Sequence, residues 1–233
     1  MTRRTDCTSD QVWYPTEPSA AHRMPTNFRS RGSNQGILVT AAPRPRQIIY
    51  ESSGELGFFH YALARGDVVD IREQQEAIYR DNEGSIRRHY FDAILTMYDG
   101  TRKAVSYKPH RRAGAISFEA YLADLAGRIS PAIADEIVLI TERDLPRATL
   151  HNSALLHDCR RDPPGDADAA ILAVLANITG QISVANLRDA TAYAGEAFRA
   201  IVRLIGSGRV VAQGDGRISG GTLVRAAGRS VAR

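Results

Sequence analysis

Lysine is almost missing from this chain: of 30 basic residues, only Lys103 and Lys108 are lysine. The preference for arginine reads as the mark of a GC-rich genome. Against it a lysine stands out, because arginine cannot replace a compact ammonium with an adjustable pKa. Long apolar runs are also missing. No stretch approaches the roughly 18 consecutive apolar residues that a membrane span needs, and the polar residues 1–10 offer no apolar segment of a secretory signal. Cysteine is scarce as well. Cys7 and Cys159 stand far apart and form no CxxC, which argues against a zinc finger or a disulfide framework and for a reduced, cytoplasmic setting.

What is present is a globular composition, with 43% hydrophobic and 24% charged residues over 233 positions. That length favours two compact domains. The net charge of +4 is unevenly spread. Residues 1–47 carry seven Arg against Asp6, Asp10 and Glu17, and residues 167–233 carry eight Arg against four acids. Between them, residues 48–166 hold 15 basic and 19 acidic side chains. Basic flanks around an acidic middle suit a protein whose ends touch phosphate while its centre holds cations; ordinary surface charge gives the same pattern.

Residues 1–46 are rich in Pro, Ser, Arg and Gly without periodicity, and read as a basic extended arm. An α/β domain is expected over 47–161. Residues 55–65 (ELGFFHYALAR) form a helix stopped by Gly66, and 68–73 and 77–79 form short strands. Residues 89–98 (HYFDAILTMY) form the strongest strand, turned back at Asp99-Gly100 into a strand over 103–108. Ser117 caps a helix running to about Ile129, 136–141 is a buried strand, and 145–159 holds a last helix. The sum is a mixed sheet flanked by helices. A charged, helix-breaking linker at 162–166 follows. Residues 167–233 then give three helices and a β-hairpin around Gly214-Asp215-Gly216, the order of a winged helix-turn-helix domain. Its third helix places Ala197, Ile201, Leu204 and Ile205 on the core side. Arg199 and Arg203, spaced i, i+4, are expected on the exposed side facing DNA, with Arg209 nearby; solvated arginines on a protein-docking module are the alternative.

Chemistry concentrates in Glu55 on a helix, Asp92 in a strand, and Ser106-Tyr107-Lys108 in the next strand. Mg²⁺ prefers hard oxygen ligands in near-octahedral geometry, and cutting a phosphodiester also needs a cation near the attacking water or the developing charge. A helix Glu, a strand Asp and a neighbouring Lys supply these from rigid elements. By itself an Asp and a Lys 16 residues apart is a spacing common by chance, but the strand around Asp92 is too apolar for an exposed edge. The histidines His60, His89, His110, His151 and His157 show no metal spacing; His89 and His110 lie close in sequence to the site, where a phosphate contact is the alternative to the surface positions expected of them.

Several short pieces in order extend this pattern. An Arg/Gly/Ser-rich lead-in (FRSRGSNQG, 28–36) precedes Tyr50-Glu51-Ser52-Ser53-Gly54-Glu55. Arg72-Glu73-Gln74, Phe91-Asp92 and Ser106-Tyr107-Lys108-Pro109 follow. Over residues 23–112 this run resembles the nuclease domain of TnsA-type transposition proteins, of the PD-(D/E)xK restriction-endonuclease superfamily. Its "yeSxxE", "xEQP", "PDF" and "ExKP" or "QxKP" motifs fall at those places. The resemblance implies a restriction-endonuclease-like core followed by a winged helix, with Mg²⁺ (Mn²⁺ tolerated) held by Glu55, Asp92 and the position of Ser106. Lys108 would position or activate the water. It also implies double-stranded transposon ends as substrate, with a DDE-type transposase and an AAA+ ATPase regulator as partners, and a chain that cuts the 5′ ends of the element. Arg111 and Arg112, just past Lys108, join Arg199, Arg203 and Arg209 as expected DNA contacts.

This chain departs from the family at three places. Leu56 stands where Arg usually follows the helix Glu, Gln75 replaces the Pro of "EQP", and Ser106 stands where Glu or Gln is usual. A serine hydroxyl is a weaker, neutral ligand, so Glu51, Glu73 and Glu76 are the candidates to make up for it. The competing functions are a stand-alone restriction or repair nuclease, and a DNA-binding adaptor without cleavage. Geometry also follows from the period of a strand. A two-residue loop at Asp99-Gly100 would turn Lys108 away from Asp92. An odd loop or a bulge is therefore expected, pairing Asp92 with Lys108 and sending Tyr107 to the opposite face.

Overall fold

A computed structural model describes residues 15–25, 34–41 and 45–228. Cys7 and the Arg-rich stretch 28–33 lie outside them. The first element is a hairpin of β1 (Gly36–Val39) and β2 (Gln47–Tyr50), paired Gly36↔Tyr50 to Val39↔Gln47. Residues 17–23 run from the start of β2, through the Glu17↔Arg46 bridge, to the long strand described below, where the His22 amide donates to the Gln74 carbonyl. Within the stretch expected as a basic extended arm over 1–46, the described residues are held in place: 36–39 pair in a hairpin, and Ser19 and Ala20 are bonded by Glu73 and Gln75.

The helix α1 (Ser53–Ala64) begins where Ser52 accepts the Glu55 amide at 3.1 Å and Glu55 accepts the Glu51 amide in return. This reciprocal capping starts the helix two residues early. Phe58, Phe59 and Ala62 bury its inner side. The two short strands expected at 68–79 are one, β3 (Val68–Arg80), which meets β4 (Ile86–Met97) across a turn at 81–84. β5 (Arg102–Tyr107) returns antiparallel to β4. α2 (His110–Ala115) and α3 (Phe118–Ala126) then cross over to β6 (Glu136–Ile140), which lies parallel to β5. The sheet order is β3-β4-β5-β6, so this is a mixed sheet with helices against it. Ser117 stands at the N-cap of α3 as expected and its carbonyl accepts the Tyr121 amide, but it adopts φ of +48° and its hydroxyl makes no capping bond; α2 before it was not expected. α4 (Arg147–Cys159) closes the core against α1.

The β4–β5 loop has three residues, Tyr98-Asp99-Gly100. The Met97 amide reaches the Thr101 carbonyl at 2.8 Å, Asp99 accepts the Thr101 amide, and Gly100 takes φ of +87°. Such an odd loop with a left-handed glycine was expected, but it sits one residue earlier. Its register, Thr96↔Arg102 to Ala93↔Val105, extrapolates to Asp92 opposite Ser106. The expected direct pairing of Asp92 with Lys108 is therefore corrected. Lys108 is two residues beyond Ser106, the same side-chain parity.

The remaining chain forms α5 (Asp166–Ala176), β7 (Ile182–Ser183), α6 (Val184–Asp189), α7 (Ala194–Gly206), β8 (Val210–Ala212) and β9 (Leu223–Ala226). The three strands pair in the order β7-β9-β8. Ser183 caps α6 through the Asn186 amide as expected, whereas the second hairpin strand is Leu223–Ala226 rather than the region of Ile218. Ala197, Ile201 and Leu204 enter the core. Among the described residues no helix is long and apolar enough to cross a membrane.

The exposed basic face expected on α7 is corrected. The far side of α7 packs on α4, with Val202 fully buried against Cys159 and Ile218. Arg199 pairs with Asp158 at 2.7 Å and with Asp162, and Arg203 pairs with Asp168 at 2.5 Å. Arg160 ties Leu63 of α1 to Gly206 through their carbonyls. Acids of α4, the linker and α5 thus clamp the very arginines whose spacing suggested a groove-reading face. In the Arg203–Asp168 pair both side chains are about nine-tenths buried, at 11% and 10% exposure. Removing one partner strands the other charge away from water. Arg203→Met is expected to cost about 2–4 kcal/mol, a fall in Tm of roughly 5–12 °C, while Arg209→Met at an exposed position changes Tm little. Thermal unfolding followed by circular dichroism checks this; equal Tm values for the two variants would refute the clamp.

Candidate active site

The site forms where β4 and β5 part. Beyond Ala93↔Val105 the antiparallel ladder ends, and the Tyr107 amide donates instead to Asp92 Oδ2 at 2.7 Å. β3 contributes an irregularity at the same level. Its partners there are Glu73↔Ala93 and Gln75↔Phe91, with Gln74 and Asp92 unpaired between them and Gln74 at φ of +48°. The strand also changes face here. Phe91 packs with Phe118 and Leu122 on the α3 side, while Ala93, Leu95 and Met97 pack with Phe58 and Phe59 on the α1 side. In a regular strand residues 91 and 93 would share a face. Asp92 stands at this switch, within a cleft of about 640 Å³.

Glu51, Glu55, Asp92, Ser106, Lys108 and Arg112 all line that cleft. Glu55 reaches it from the first turn of α1, and that turn lies close to β5: a Cβ at Gly54 would collide with the Tyr107 ring. Tyr107, expected in the core, packs half-buried on that cluster but also borders the cleft. Burial, then the negative charge of Glu55, drives the Asp92 carboxyl up to about 7, against the Tyr107 amide and Lys108, which pull it down. Glu55 is raised too, chiefly by burial, and its bonds from the Glu51 amide and Ser52 hydroxyl oppose the rise. Lys108 places its ammonium 5.2 Å from the centre of the Phe118 ring and makes no ion pair among the described residues. It is thus a cation held near two acids without being consumed by either.

Ser106 is 2% exposed. His89, read from the sequence as a surface residue, lies beside it, with Nε2 3.4 Å from the Ser106 hydroxyl and Nδ1 3.1 Å from the Tyr121 hydroxyl. Burial, and next the charge of Lys108, lowers its pKa to about 4, so the ring is neutral near pH 7. Its position two residues before Phe91 in a buried strand was the available signal. Arg111 and Arg112 are both exposed in α2, and Arg112 borders the cleft. Arg209 is exposed on another pocket, beside Arg203 and Asp168. Of the acids weighed as replacements for Ser106, only Glu51 lines the cleft. Glu73 is fully buried, accepting from Ser19 through Oε1 while Oε2 has no hydrogen-bond partner, and Glu76 accepts from Tyr90.

Among the described residues no three His, Cys, Asp or Glu side chains stand together as a ready metal-binding set. The carboxylates still fit one cation type. Mg²⁺ is commonly bound through one or two carboxylates with waters and substrate phosphates completing the shell, and a cation between Glu55 and Asp92 would relieve the like charge that raises Asp92. No protein-family model matches the chain, and no curated protein matches it significantly.

The elevated acid has a signed consequence. A carboxyl whose folded pKa exceeds its unfolded value favours the fold below about pH 4, and that contribution is lost as pH rises through about 7. Asp92→Asn stays neutral and keeps an oxygen for the Tyr107 amide. In metal-free buffer the variant is therefore expected to gain on the parent between pH 5 and 8, by roughly 2–3 kcal/mol at the upper end. Added Mg²⁺ at pH 8 is expected to raise the parent's Tm and not the variant's. A difference in Tm that stays flat over this pH range would refute the buried, repelled carboxylate.

Proposed function

We propose that this chain is a Mg²⁺-dependent DNA endonuclease with a restriction-endonuclease-like core, of the TnsA type. In this reading it cuts the 5′ ends of a transposable element alongside a DDE-type transposase and an AAA+ ATPase. One observation carries the reading: Asp92, Ser106 and Lys108 share a cleft at the fork of β4 and β5, with Glu55 facing them from α1. The mixed sheet with flanking helices is compatible with such a core. The α5–α7 bundle with its small sheet is compatible with a winged-helix module.

Glu55 and Asp92 are the residues to hold Mg²⁺. When bound, the ion supplies Lewis-acid stabilisation and a more acidic water. Lys108 sets its ammonium beside the attacking water or the phosphate oxygen that gains charge. Ser106 offers a hydroxyl, oriented by His89, to a water rather than a charged ligand. Arg112 and Arg111 lie on the exit side of β5, where a guanidinium meets phosphate oxygens in bidentate fashion. Arg199 and Arg203 are spent on Asp158, Asp162 and Asp168 and leave the DNA contacts to other arginines, Arg209 among them.

A second reading, a DNA-binding adaptor that no longer cuts, is favoured by one detail. The Glu55 carboxylate already accepts bonds from the Glu51 amide and the Ser52 hydroxyl, which leaves it fewer lone pairs for a cation. Cleavage of end-bearing duplex DNA in Mg²⁺ and in Mn²⁺, with transposase and ATPase present, separates the two. Asp92→Ala and Lys108→Ala are expected to lose on the order of 100-fold or more in rate, with the fold retained. Ser106→Glu is expected to lower the Mg²⁺ concentration needed. Cutting by Asp92→Ala at the parent's rate would remove the nuclease reading. An inert parent that Ser106→Glu revives would establish the adaptor.

A further inference from the structure

We propose that Arg23, carried on the strap of residues 17–23, is a substrate-phosphate ligand of the cleft, and that Glu73-Gln74-Gln75 exist in large part to hold it there. This inference rests on the nuclease reading and adds to it a residue outside the motifs that suggested it.

The strap has no helix or strand of its own, yet it is tied down by side-chain and backbone bonds to β3. Ser19 donates to Glu73, which is fully buried. Gln75 Nε2 donates to the Ala20 carbonyl at 2.8 Å. The His22 amide donates to the Gln74 carbonyl at 3.1 Å, and the Glu76 amide donates to His22 Nδ1 at 3.2 Å. These bonds converge on one product, the Arg23 side chain at the cleft. Its Nη2 donates to Gln74 Oε1 at 3.0 Å and to Glu51 Oε1 at 2.9 Å, and its guanidinium carbon lies 5.1 Å from the centre of the Tyr90 ring.

Gln74 bears the cost of this arrangement. It is 1% exposed, holds a left-handed backbone rare for a side-chain-bearing residue, and leaves its buried Nε2 without a hydrogen-bond partner. An outlier of that kind points to a constraint other than stability. Here the constraint is the guanidinium it orients.

The partner of Arg23 is weak by design of its surroundings. Arg23 and Glu51 are 43% and 26% exposed, and an ion pair so open to water contributes little. A phosphate diester can therefore take the guanidinium from Glu51. The planar fork, already steadied against Tyr90, presents paired donors to phosphate oxygens. Lys108, Arg88 and Arg112 border the same cleft, so Arg23 completes a cationic rim around the acids. A polyanion crossing this rim meets charge of the sign it needs before it reaches Asp92.

The test uses the full chain and short duplex DNA, with Ca²⁺ replacing Mg²⁺ to suspend cutting, and measures affinity across a salt series. Arg23→Gln is expected to weaken binding about threefold to tenfold for any sequence and to reduce the salt slope by about one, with Tm unchanged. Arg23→Lys, which keeps the charge and loses the fork, is expected between the two. Arg87→Gln, at the distant β3–β4 turn and paired with Asp81, is expected to match the parent. Parent-like affinity and slope in Arg23→Gln overturn the proposal. So does a loss shared equally by both Arg23 variants together with lowered Tm, which marks the strap as structural. A parent that binds and cuts while Arg23→Gln is unaffected removes this inference alone. A parent that neither binds duplex DNA nor cuts it removes the nuclease reading and Arg23 with it.

Discussion

The structure is organised around the difficulty of keeping a carboxylate, Asp92, inside a sheet beside a second acid, Glu55. Burying a charge is costly unless it is hydrogen-bonded or countered, and the surroundings of Asp92 supply both remedies in part. The Tyr107 amide is free to bond it only because β5 leaves β4 at that residue. Lys108 supplies a compensating positive charge. Glu55 is fixed at the same level because its carboxylate and the Ser52 hydroxyl set where α1 begins. Gly54 follows from the same requirement, since the helix start must pass directly under the Tyr107 ring. The compensation is incomplete, as the elevated Asp92 carboxyl records. A fold optimised only for stability would not retain it.

A second constraint acts on the C-terminal region. α7 is buried on two sides, by its own bundle through Ile201 and by α4 through Val202. Helices in which only one stripe is apolar leave the other side free; α7 has no such freedom, and its arginines neutralise Asp158, Asp162 and Asp168 instead. The residues 162–166 are therefore a strut more than a tether. Pro163 and Pro164 break the helix, and the acids around them bind across the junction. If this region meets DNA, it does so through surfaces other than the middle of α7, or after these pairs open.

Much of this was legible in the sequence because it depends on local rules. The apolar period located α1, β4, β6 and α7, Asp99-Gly100 marked the hairpin, and Ser183 marked the start of α6. Side-chain parity required an odd loop if Asp92 and Lys108 were to act together, and the loop is odd. What the sequence hid was set by distant partners. The i, i+4 spacing of Arg199 and Arg203 fixes that they share a face, but not whether Asp158 and Asp162 come to cover it. The left-handed backbone of Gln74 carries no glycine to announce it. The segment 17–23 looks like an extended arm by composition, and its order comes from partners more than 50 residues away, Glu73 accepting from Ser19 and Gln75 donating to Ala20. His89 reads as a surface histidine until Tyr121 and Ser106 are brought to its two nitrogens.

The position of Ser106 joins these threads. In a PD-(D/E)xK site a third acid there would add a like charge to a pair already in mutual repulsion, raising Asp92 further in the absence of a cation. Serine avoids that cost, and the neutral His89 behind it imposes no charge of its own. Of the acids that could take the place of a carboxylate at Ser106 under the nuclease reading, Glu51 lines the cleft, and it is paired with Arg23. With Arg23 on Glu51 the cleft presents Glu55 and Asp92, only partly compensated by Lys108, and under the proposal above Glu51 becomes a third unpaired acid when Arg23 turns to a bound anion. A third carboxylate that appears only when an anion is bound would tie cation affinity to the presence of substrate. That coupling follows from reciprocity, since whatever favours one ligand beside the other works equally in both directions.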